Sequence, residues 1–218
     1  MTIKVIIFDF DGTIADTLNA IVSITNRLAA QFGHKPISQE ELVQIKNLSS
    51  RQIIKQSGIS IFKFPLLVGK VKAELNSEIQ TIKPFLGIKE ALIEVKSEVD
   101  RVGMLSSNSK ENIVAFLEMN GLQDLFDFIY TGATLFGKSK VIKELLKQEK
   151  FKPEESVYVG DETRDIEAAR RSRTKAIAVS WGFNSKEVLA AQNPDFLVHQ
   201  PSELVEVIKS LQQAVISK

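Results

Sequence analysis

Two aspartates follow directly on an unbroken apolar run near the start of the chain. The run 5–8 (VIIF) leads into Asp9 and Asp11, with Gly12 and Thr13 behind them. Carboxylates placed this close together repel each other, and the arrangement is costly unless a cation neutralises them. The pair is therefore suited to binding a metal ion, or to nucleophilic and acid–base chemistry beside one.

Further polar side chains that could bind a metal ion or a phosphate group follow three later apolar runs. The first run is followed by Ser106, Ser107 and Asn108, the second by Lys138, and the third by Asp161 and Asp165. Hard oxygen ligands without nearby histidine or cysteine favour Mg²⁺ over zinc or copper, and Mg²⁺ usually holds phosphate substrates. The hydroxyl of Ser106 and the ammonium of Lys138 would then bind phosphate oxygens. In such a site either Asp9 or Asp11 attacks phosphorus, and the other moves protons.

Six short strands separated by helices are predicted to bring these side chains together. The β-rich apolar runs lie at 3–8, 102–105, 128–130, 157–159, 176–180 and 196–198. Their alternation with helical patterns predicts an α/β fold, a Rossmann-like three-layer structure with helices on both faces of a parallel sheet. Ligands of such sheets bind at the carboxyl ends of the strands, which is where the candidate residues stand.

A long interval without a convincing strand separates the first strand from the second. Helical patterns are predicted there at about 18–32, 39–46, 51–56 and 66–80. Ser38 and Glu41 have the spacing of a capping box, and Pro84 disfavours helix in the residue before it. We therefore predict a helical insert at 16–81, placed between the parts 1–15 and 82–218 of an α/β catalytic core. A further helix at about 88–99 is assigned to that core.

The composition excludes several kinds of chemistry and partner. The 218 residues include 28 Lys and Arg against 27 Asp and Glu, which does not suggest nucleic acid or a membrane as partner. The absence of cysteine excludes disulfides, thiolate metal sites and a thiol nucleophile. No apolar run is long enough for a signal peptide or a membrane span. We expect a cytoplasmic protein, monomeric or homodimeric, that acts on a small substrate.

The ordered set of polar residues resembles the motifs of the haloacid dehalogenase-like hydrolases, in the phosphatase branch. The first motif of that branch, Asp-x-Asp-Gly-Thr/Ser, is present at 9–13 (DFDGT). Ser106 takes the place of the second motif, Lys138 the third, and 160–165 (GDETRD) the fourth. The resemblance covers nearly the whole chain outside the insert, and it is closest to members with a helical cap, such as phosphoglycolate phosphatases.

The resemblance implies a role for each of these residues. Asp9 would be the nucleophile that forms an aspartyl phosphate, and Asp11 the general acid and base. Mg²⁺ would be held by the Asp9 carboxylate, the backbone carbonyl of Asp11 and Asp161, with Asp165 helping directly or through water. The transferring phosphoryl group would be bound by Ser106 and Lys138, with backbone N–H groups near Phe10, Asp11 and Ser107.

The helical insert would act as a cap over the substrate, and Arg51 within it would contact an anionic end of that substrate. Some points stay open at this stage. Ser107 competes with Ser106, and Lys140 and Lys143 compete with Lys138. The leading hypothesis is a Mg²⁺-dependent phosphatase that acts on a small phosphorylated metabolite. The resemblance to the family suggests phosphoglycolate as the substrate. A phosphomutase of the same family and a noncatalytic phosphate-binding module are the alternatives.

Overall fold

Six parallel strands form the centre of the part that the computed structural model describes, which comprises residues 2–60, 62–132 and 137–213. The strands are β1 (Val5–Phe8), β2 (Arg101–Leu105), β3 (Phe128–Tyr130), β4 (Ser156–Gly160), β5 (Lys175–Val179) and β6 (Phe196–Val198). Their order across the sheet is β3-β2-β1-β4-β5-β6. Residues 1, 61, 133–136 and 214–218 of the predicted domains lie outside the described residues.

Helices accompany the strands throughout the described chain. They are α1 (Leu18–Phe32), α2 (Gln39–Ile45), α3 (Ser50–Gln56), α4 (Phe64–Glu78), α5 (Ile88–Glu98), α6 (Lys110–Asn120), α7 (Lys138–Gln148), α8 (Thr163–Ser172), α9 (Lys186–Ala190) and α10 (Pro201–Gln213). Short 3₁₀ turns lie at Ile79–Thr81, Gln123–Leu125 and Pro153–Glu155. Among the described residues, none of these helices combines the length and the apolar character needed to cross a bilayer.

Both faces of the sheet are buried, as strand β1 shows. Ile6 and Phe8 belong to a core shared with α5, α6 and α10, whereas Val5 and Ile7 belong to a second core shared with α7 and α8. A strand covered on both faces reads as a continuous apolar run, because its alternating side chains all enter a core. The predicted three-layer α/β fold is confirmed.

The predicted element boundaries differ from the observed ones by a few residues. Strand β1 begins at Val5, where pairing with both β2 and β4 begins, rather than at residue 3. Helix α4 begins at Phe64 because Pro65, which lacks a backbone N–H, is tolerated in the first turn of a helix. The capping box of Ser38 and Glu41 is present at the start of α2.

The segment 16–81 contains α1 to α4, and none of its described residues lies in a strand; we call it the helical insert. Its two connections to the sheet run side by side, since Asp16 N donates to Lys83 O at 3.0 Å and Phe85 N donates to Ile14 O at 3.1 Å. Ala15 also forms an isolated antiparallel bridge with Pro84. These adjacent connections support the predicted domain boundaries, which remain a prediction.

Candidate active site

The neighbouring ends of β1 and β4 bring three carboxylates together. Asp9 follows β1, Asp161 follows β4, and Asp165 lies in the first turn of α8. One oxygen from each side chain lies within 4.8 Å of the other two, and each residue is at most 3% exposed. We call these three residues the carboxylate cluster.

Lys138 joins the carboxylate cluster from the first turn of α7. Its Nζ atom lies 2.8 Å from Asp9 Oδ2 and 2.6 Å from Asp165 Oδ1. The ammonium also lies 5.4 Å from the ring centroid of Tyr158, a buried residue of β4. The competing candidates Lys140 and Lys143 are exposed on the same helix. The structure therefore brings Lys138, and neither of the other two, to the carboxylates.

The charges of this group do not balance. Three carboxylates against the one ammonium of Lys138 leave an excess of two negative charges, which matches a divalent cation. Burial raises the pKa of Asp9 to about 7, although Lys138 acts in the opposite direction. Burial, followed by the negative charges of Glu162, Asp165 and Asp9, raises the pKa of Asp161 well above its usual value. The all-oxygen donor set fits Mg²⁺, because hard cations prefer carboxylate oxygen.

The charge of Lys138 is maintained by its neighbours. Burial by itself lowers the pKa of this lysine, but the carboxylates of Asp165 and Asp9 outweigh burial and hold the pKa well above its usual value. A buried ammonium that stays charged is suited to binding phosphate oxygens.

Loops after β1 and β5 fix the orientation of the Asp161 carboxylate. Thr13 Oγ1 donates to Asp161 Oδ1 at 2.8 Å, and Phe183 N donates to Asp161 Oδ2 at 2.7 Å. Trp181 Nε1 in turn donates to Thr13 O at 3.1 Å. The contribution of the segment that contains Trp181 and Phe183 was not predicted from the sequence, because its position after β5 gave no motif.

Close packing at this point also requires glycine. Gly12 has a φ of +75°, and a Cβ atom placed on it would lie 2.1 Å from Asp161 Oδ2. A Cβ atom on Gly160 would lie 2.5 Å from the Asp165 carboxyl carbon. The glycines of the first and fourth motifs thus allow the carboxylates to approach the backbone.

The Asp11 side chain is held apart from the carboxylate cluster. Both of its carboxylate oxygens lie 3.1 Å from Asn108 Nδ2, which donates to them from the loop after β2. Burial raises the pKa of Asp11, while hydrogen bonds oppose that change. The carboxyl group therefore retains its proton at higher pH than an exposed aspartate, as a proton donor requires. Metal binding by the backbone carbonyl of Asp11 remains a prediction.

The two candidate serines lie in the same loop as Asn108. Ser106 is fully buried at the end of β2, and its Oγ accepts from Asn108 N at 3.0 Å. Ser107 is partly buried. Because β2 pairs with β1, this loop borders the same edge of the sheet as Asp9.

Arg51 lies on α3, at the border between the helical insert and the sheet domain. One of its Nη atoms lies 3.5 Å from Glu167 Oε1 of α8. Arg51 also lines a pocket together with Lys138, Arg164 and Arg171. Arg51 therefore lies beside the candidate site, and its contact with a substrate remains a prediction.

Arg164 was missed as a candidate, although it stands inside the fourth motif. It forms an ion pair with Glu162, and its Nε and Nη1 atoms are buried without a hydrogen-bond partner among the described residues. Glu162 also accepts a hydrogen bond from Ser50 Oγ of the insert at 2.8 Å. The position of Arg164 beside Asp165 is the one signal in the sequence that could have identified it.

Comparison with known proteins places this arrangement in a family. The chain is 38% identical over 208 residues to the phosphoglycolate phosphatase of Synechococcus elongatus, covering 95% of this chain and 98% of that protein. It is 28% identical to the phosphoglycolate phosphatase of Aquifex aeolicus, covering 94% and 96% of the two chains. A haloacid dehalogenase-like family hydrolase from Streptococcus pneumoniae has the same fold, with a TM-score of 0.75, 21% identity and coverage of 94% and 98%.

A family model described as haloacid dehalogenase-like hydrolase matches residues 6–179, most of the chain. That range contains all three members of the carboxylate cluster, and it also contains Lys138 and Ser106. The chain therefore belongs to the haloacid dehalogenase-like hydrolases and is an enzyme of the phosphatase branch of that family.

Proposed function

We propose that this enzyme hydrolyses a small phosphorylated metabolite with the help of Mg²⁺, through an aspartyl phosphate formed on Asp9. The observation that carries the proposal is the buried cluster of Asp9, Asp161 and Asp165 in contact with Lys138. Such a cluster with an excess of two negative charges is costly alone, but it is suited to a divalent cation and a phosphate group.

The metal would be held by the carboxylates of Asp9 and Asp161 and the backbone carbonyl of Asp11, with Asp165 acting directly or through water. Bound Mg²⁺ supplies positive charge that neutralises the carboxylates and the phosphoryl oxygens. The oxygen donors of the cluster fit this role, and the hydrogen bonds from Thr13 and Phe183 keep the Asp161 oxygens oriented.

Asp9 is suited to attack phosphorus. Its Oδ1 accepts from Phe10 N at 2.9 Å and its Oδ2 from Lys138 at 2.8 Å, so the carboxylate orientation is fixed before substrate binds. Attack forms an Asp9 O–P bond and breaks the bond between phosphorus and the substrate oxygen. The leaving oxygen takes a proton from Asp11, so the products of this step are an aspartyl phosphate and an alcohol.

Asp11 then works in the reverse direction. It accepts a proton from a water molecule while the water oxygen bonds to phosphorus, and the Asp9 O–P bond breaks to release inorganic phosphate. Asp11 ends the cycle protonated and Asp9 ends it ionised, as both began. The raised pKa of Asp11 suits the first step, in which Asp11 gives up a proton, and the amide of Asn108 holds Asp11 in place for both steps.

Lys138, Ser106 and the backbone N–H groups near Phe10, Asp11 and Ser107 would bind the transferring phosphoryl oxygens. Preorganised donors of this kind stabilise charge that develops in the transition state. The ammonium of Lys138 is positioned by two carboxylates and by the Tyr158 ring, so little reorganisation is needed when phosphate arrives.

The charge of the pocket beside the site supports a substrate with a second anionic group. The pocket is lined by the cations Arg51, Arg164 and Arg171 as well as Lys138, with Glu167 as its acidic member. A carboxylate on the substrate would find complementary charge there. Phosphoglycolate carries such a carboxylate, and the relative from Synechococcus is named for that substrate.

The helical insert would close over this pocket as a cap and exclude water. Arg51 of the insert lies against Glu167 of the sheet domain, and Ser50 lies against Glu162. The side-by-side connections at Asp16 and Lys83 provide a narrow joint between the two parts. A closing insert of this kind acts as a gate for substrate and product.

The proposal is tested by assaying phosphate release with Mg²⁺ from a panel that includes phosphoglycolate, sugar phosphates and pyrophosphate. Wild type is expected to hydrolyse phosphoglycolate, and Asp9→Asn is expected to lose at least about 10³-fold in kcat, because the nucleophile is absent. Asp16→Asn is a matched control, since Asp16 is exposed in the same segment. Mass spectrometry of acid-quenched wild type should find phosphate on Asp9.

Three results would contradict the proposal in different ways. Equal turnover by wild type and Asp9→Asn would exclude Asp9 as the nucleophile. Isomerisation of a sugar phosphate that depends on a bisphosphate activator would indicate a phosphomutase. No Mg²⁺-dependent phosphate release from any compound would favour a binding module.

A further inference from the structure

We propose that Asn112 is a positioning residue, which couples helix α4 of the insert to the carboxylate of Asp11 through a chain of side-chain amides. The proposal rests on the function proposed above, in which Asp11 transfers protons. It adds a group of three asparagines, Asn76, Asn112 and Asn108, that takes no part in the chemistry itself.

The series of hydrogen-bonded amides starts at the carboxyl group of Asp11. Asn108 is 3% exposed, and its Nδ2 donates to both carboxylate oxygens of Asp11 at 3.1 Å. The backbone N–H of Ser109 can only donate, so the atom of the Asn108 amide that it contacts must be Oδ1, and Nδ2 must face Asp11. That oxygen accepts from Ser109 N at 2.8 Å and from Asn112 Nδ2 at 2.9 Å.

Asn112 is the central member and is fully buried in the first turns of α6. Because Nδ2 of Asn112 faces Asn108, Oδ1 of Asn112 is free to accept a hydrogen bond from another residue. The donor is Asn76 Nδ2 of α4, at 2.6 Å. The same Nδ2 of Asn112 also donates to Lys72 O, again in α4, at 3.1 Å.

Both ends of the Asn112 amide thus depend on the insert. If α4 moves away from α6, the oxygen loses Asn76 and the nitrogen loses Lys72 O, which leaves a buried amide short of partners. Unsatisfied buried polar groups are costly, so the amide will rotate or shift to find others. Any such change weakens one of the two bonds that fix Oδ1 of Asn108, whose amide nitrogen holds both carboxylate oxygens of Asp11.

The functional consequence is that the position of the insert reaches the proton donor. With α4 in place, both ends of the Asn112 amide have partners and the Asn108 amide holds Asp11 from one side. With α4 displaced, the Asn108 amide is held by one donor fewer, and Asp11 is held less firmly in that orientation. Proton transfer is therefore tied to the closed arrangement, since a displacement of about 1 Å at a catalytic group costs up to about 100-fold in rate.

The test is Asn112→Asp, compared on two esters with different leaving groups. The new side chain retains an acceptor for Asn76 but places a carboxylate oxygen against the carbonyl oxygens of Asn108 and Lys72. An alkyl phosphate such as phosphoglycolate needs a proton on its leaving oxygen, whereas p-nitrophenolate leaves without one. We measure kcat/KM, because this parameter reports the steps up to departure of the leaving group.

The expected result is a loss of about 10- to 100-fold in kcat/KM for phosphoglycolate, with little change for p-nitrophenyl phosphate. Asn76→Ala, at an exposed position, is expected to give a smaller loss with the same preference. Asn120→Asp is the matched control, since Asn120 ends the same helix and donates to Phe116 O. Its activity on both esters should equal that of wild type.

Equal losses on both esters would overturn the proposal, because a general defect in folding or phosphate binding affects both alike. Unchanged activity of both Asn112→Asp and Asn76→Ala on phosphoglycolate would also overturn it. Wild type that hydrolyses neither ester would instead contradict the proposed function, and with it the role of Asn112. The wild-type assay therefore separates the two failures.

Discussion

Asp9 and Asp11 are separated by one residue, yet two different regions of the molecule hold them. Asp9 lies in the carboxylate cluster, among charged groups supplied by β1, β4, α7 and α8. Asp11 lies against neutral amides that lead through α6 to α4 of the insert. The first region is fixed within the sheet domain, whereas the second depends on where the insert lies.

The difference separates two requirements of the proposed reaction. Binding phosphate and metal needs strong fixed charge, and the paired ends of β1 and β4, with the first turns of α7 and α8, provide it. Proton transfer needs correct timing and orientation, and contacts to a separate helical segment can provide both. A substitution in the carboxylate cluster should therefore alter the charge of the site and the free energy of unfolding. A substitution beside the insert should alter how the insert closes over the substrate.

Lys138→Met tests the charged region and should give the largest effect. It removes the ammonium from Asp9 and Asp165 while keeping a long side chain. We expect a loss of about 10³-fold in kcat, because a donor to the transferring group is gone. Without metal, the free energy of unfolding should fall by about 3 to 5 kcal/mol, since two buried carboxylates lose their partner.

Lys140→Met is the control for this variant, because the Lys140 side chain is 84% exposed on the same helix. Its activity and its unfolding midpoint in urea should match those of wild type. Activity of Lys138→Met within tenfold of wild type would show that the ammonium does not serve the transferring phosphoryl group.

The second prediction concerns the stability of the metal-free protein. Burial raises the pKa of Asp9 from 3.8 to about 7, so the folded chain keeps a proton that the unfolded chain releases between these values. The free energy of unfolding contributed by Asp9 should therefore fall as pH rises through this interval, by about 2 to 4 kcal/mol. Below the interval the carboxyl is protonated in both states and contributes nothing.

Urea unfolding at a series of pH values, with a chelator or with Mg²⁺, measures this effect. Mg²⁺ should reduce the decline, because it binds the ionised cluster of the folded protein. Asp9→Asn should make the decline measured with chelator smaller, since one titrating group is gone while Asp11 and Asp161, whose pKa values burial also raises, remain. If the free energy of unfolding measured with chelator depends on pH in the same way for wild type and Asp9→Asn, Asp9 ionises as an exposed aspartate does. The buried negative charge of the cluster would then no longer support the binding of a cation.

Asn184→Ala tests the contact between the insert and the sheet domain and should give the smallest effect. Asn184 Nδ2 donates to Lys46 O and Leu48 O of the insert, at 3.2 and 3.0 Å. Loss of these bonds should raise KM by about 2- to 10-fold, with kcat and Mg²⁺ affinity nearly unchanged. Steady-state kinetics and a Mg²⁺ titration measure the three quantities, with exposed Asn19→Ala as the control.

A fall in Mg²⁺ affinity as large as the rise in KM would contradict the separation of the two regions. It would mean that the insert also positions the cluster, through the Thr163 N–H that donates to Asn184 Oδ1 at 2.9 Å.

The fold and the carboxylates of the site could be predicted from the sequence because their signals are local. Apolar runs mark the strands, and parallel strands present their carboxyl ends at one edge, so Asp9 and Asp161 were expected at the same edge of the sheet. The tertiary structure decided that β1 and β4 are neighbours, which brings the two side chains together. The choice of Lys138 over Lys140 and Lys143 needed only the position of a helix start. The contacts of Trp181, Phe183 and Asn112 could not be predicted in this way, because they join distant residues without a motif.

The sequence by itself determined the six strands, the helical insert and the order of the acidic, hydroxyl and basic residues at the strand ends. These follow from periodicity and motif spacing, which act over a few residues. Only the tertiary structure decided that burial raises the pKa of Asp9, that Arg164 lies in the site, and that amides connect α4 to Asp11. Burial and the 36-residue separation of Asn76 from Asn112 depend on how the helices pack, which no local pattern encodes.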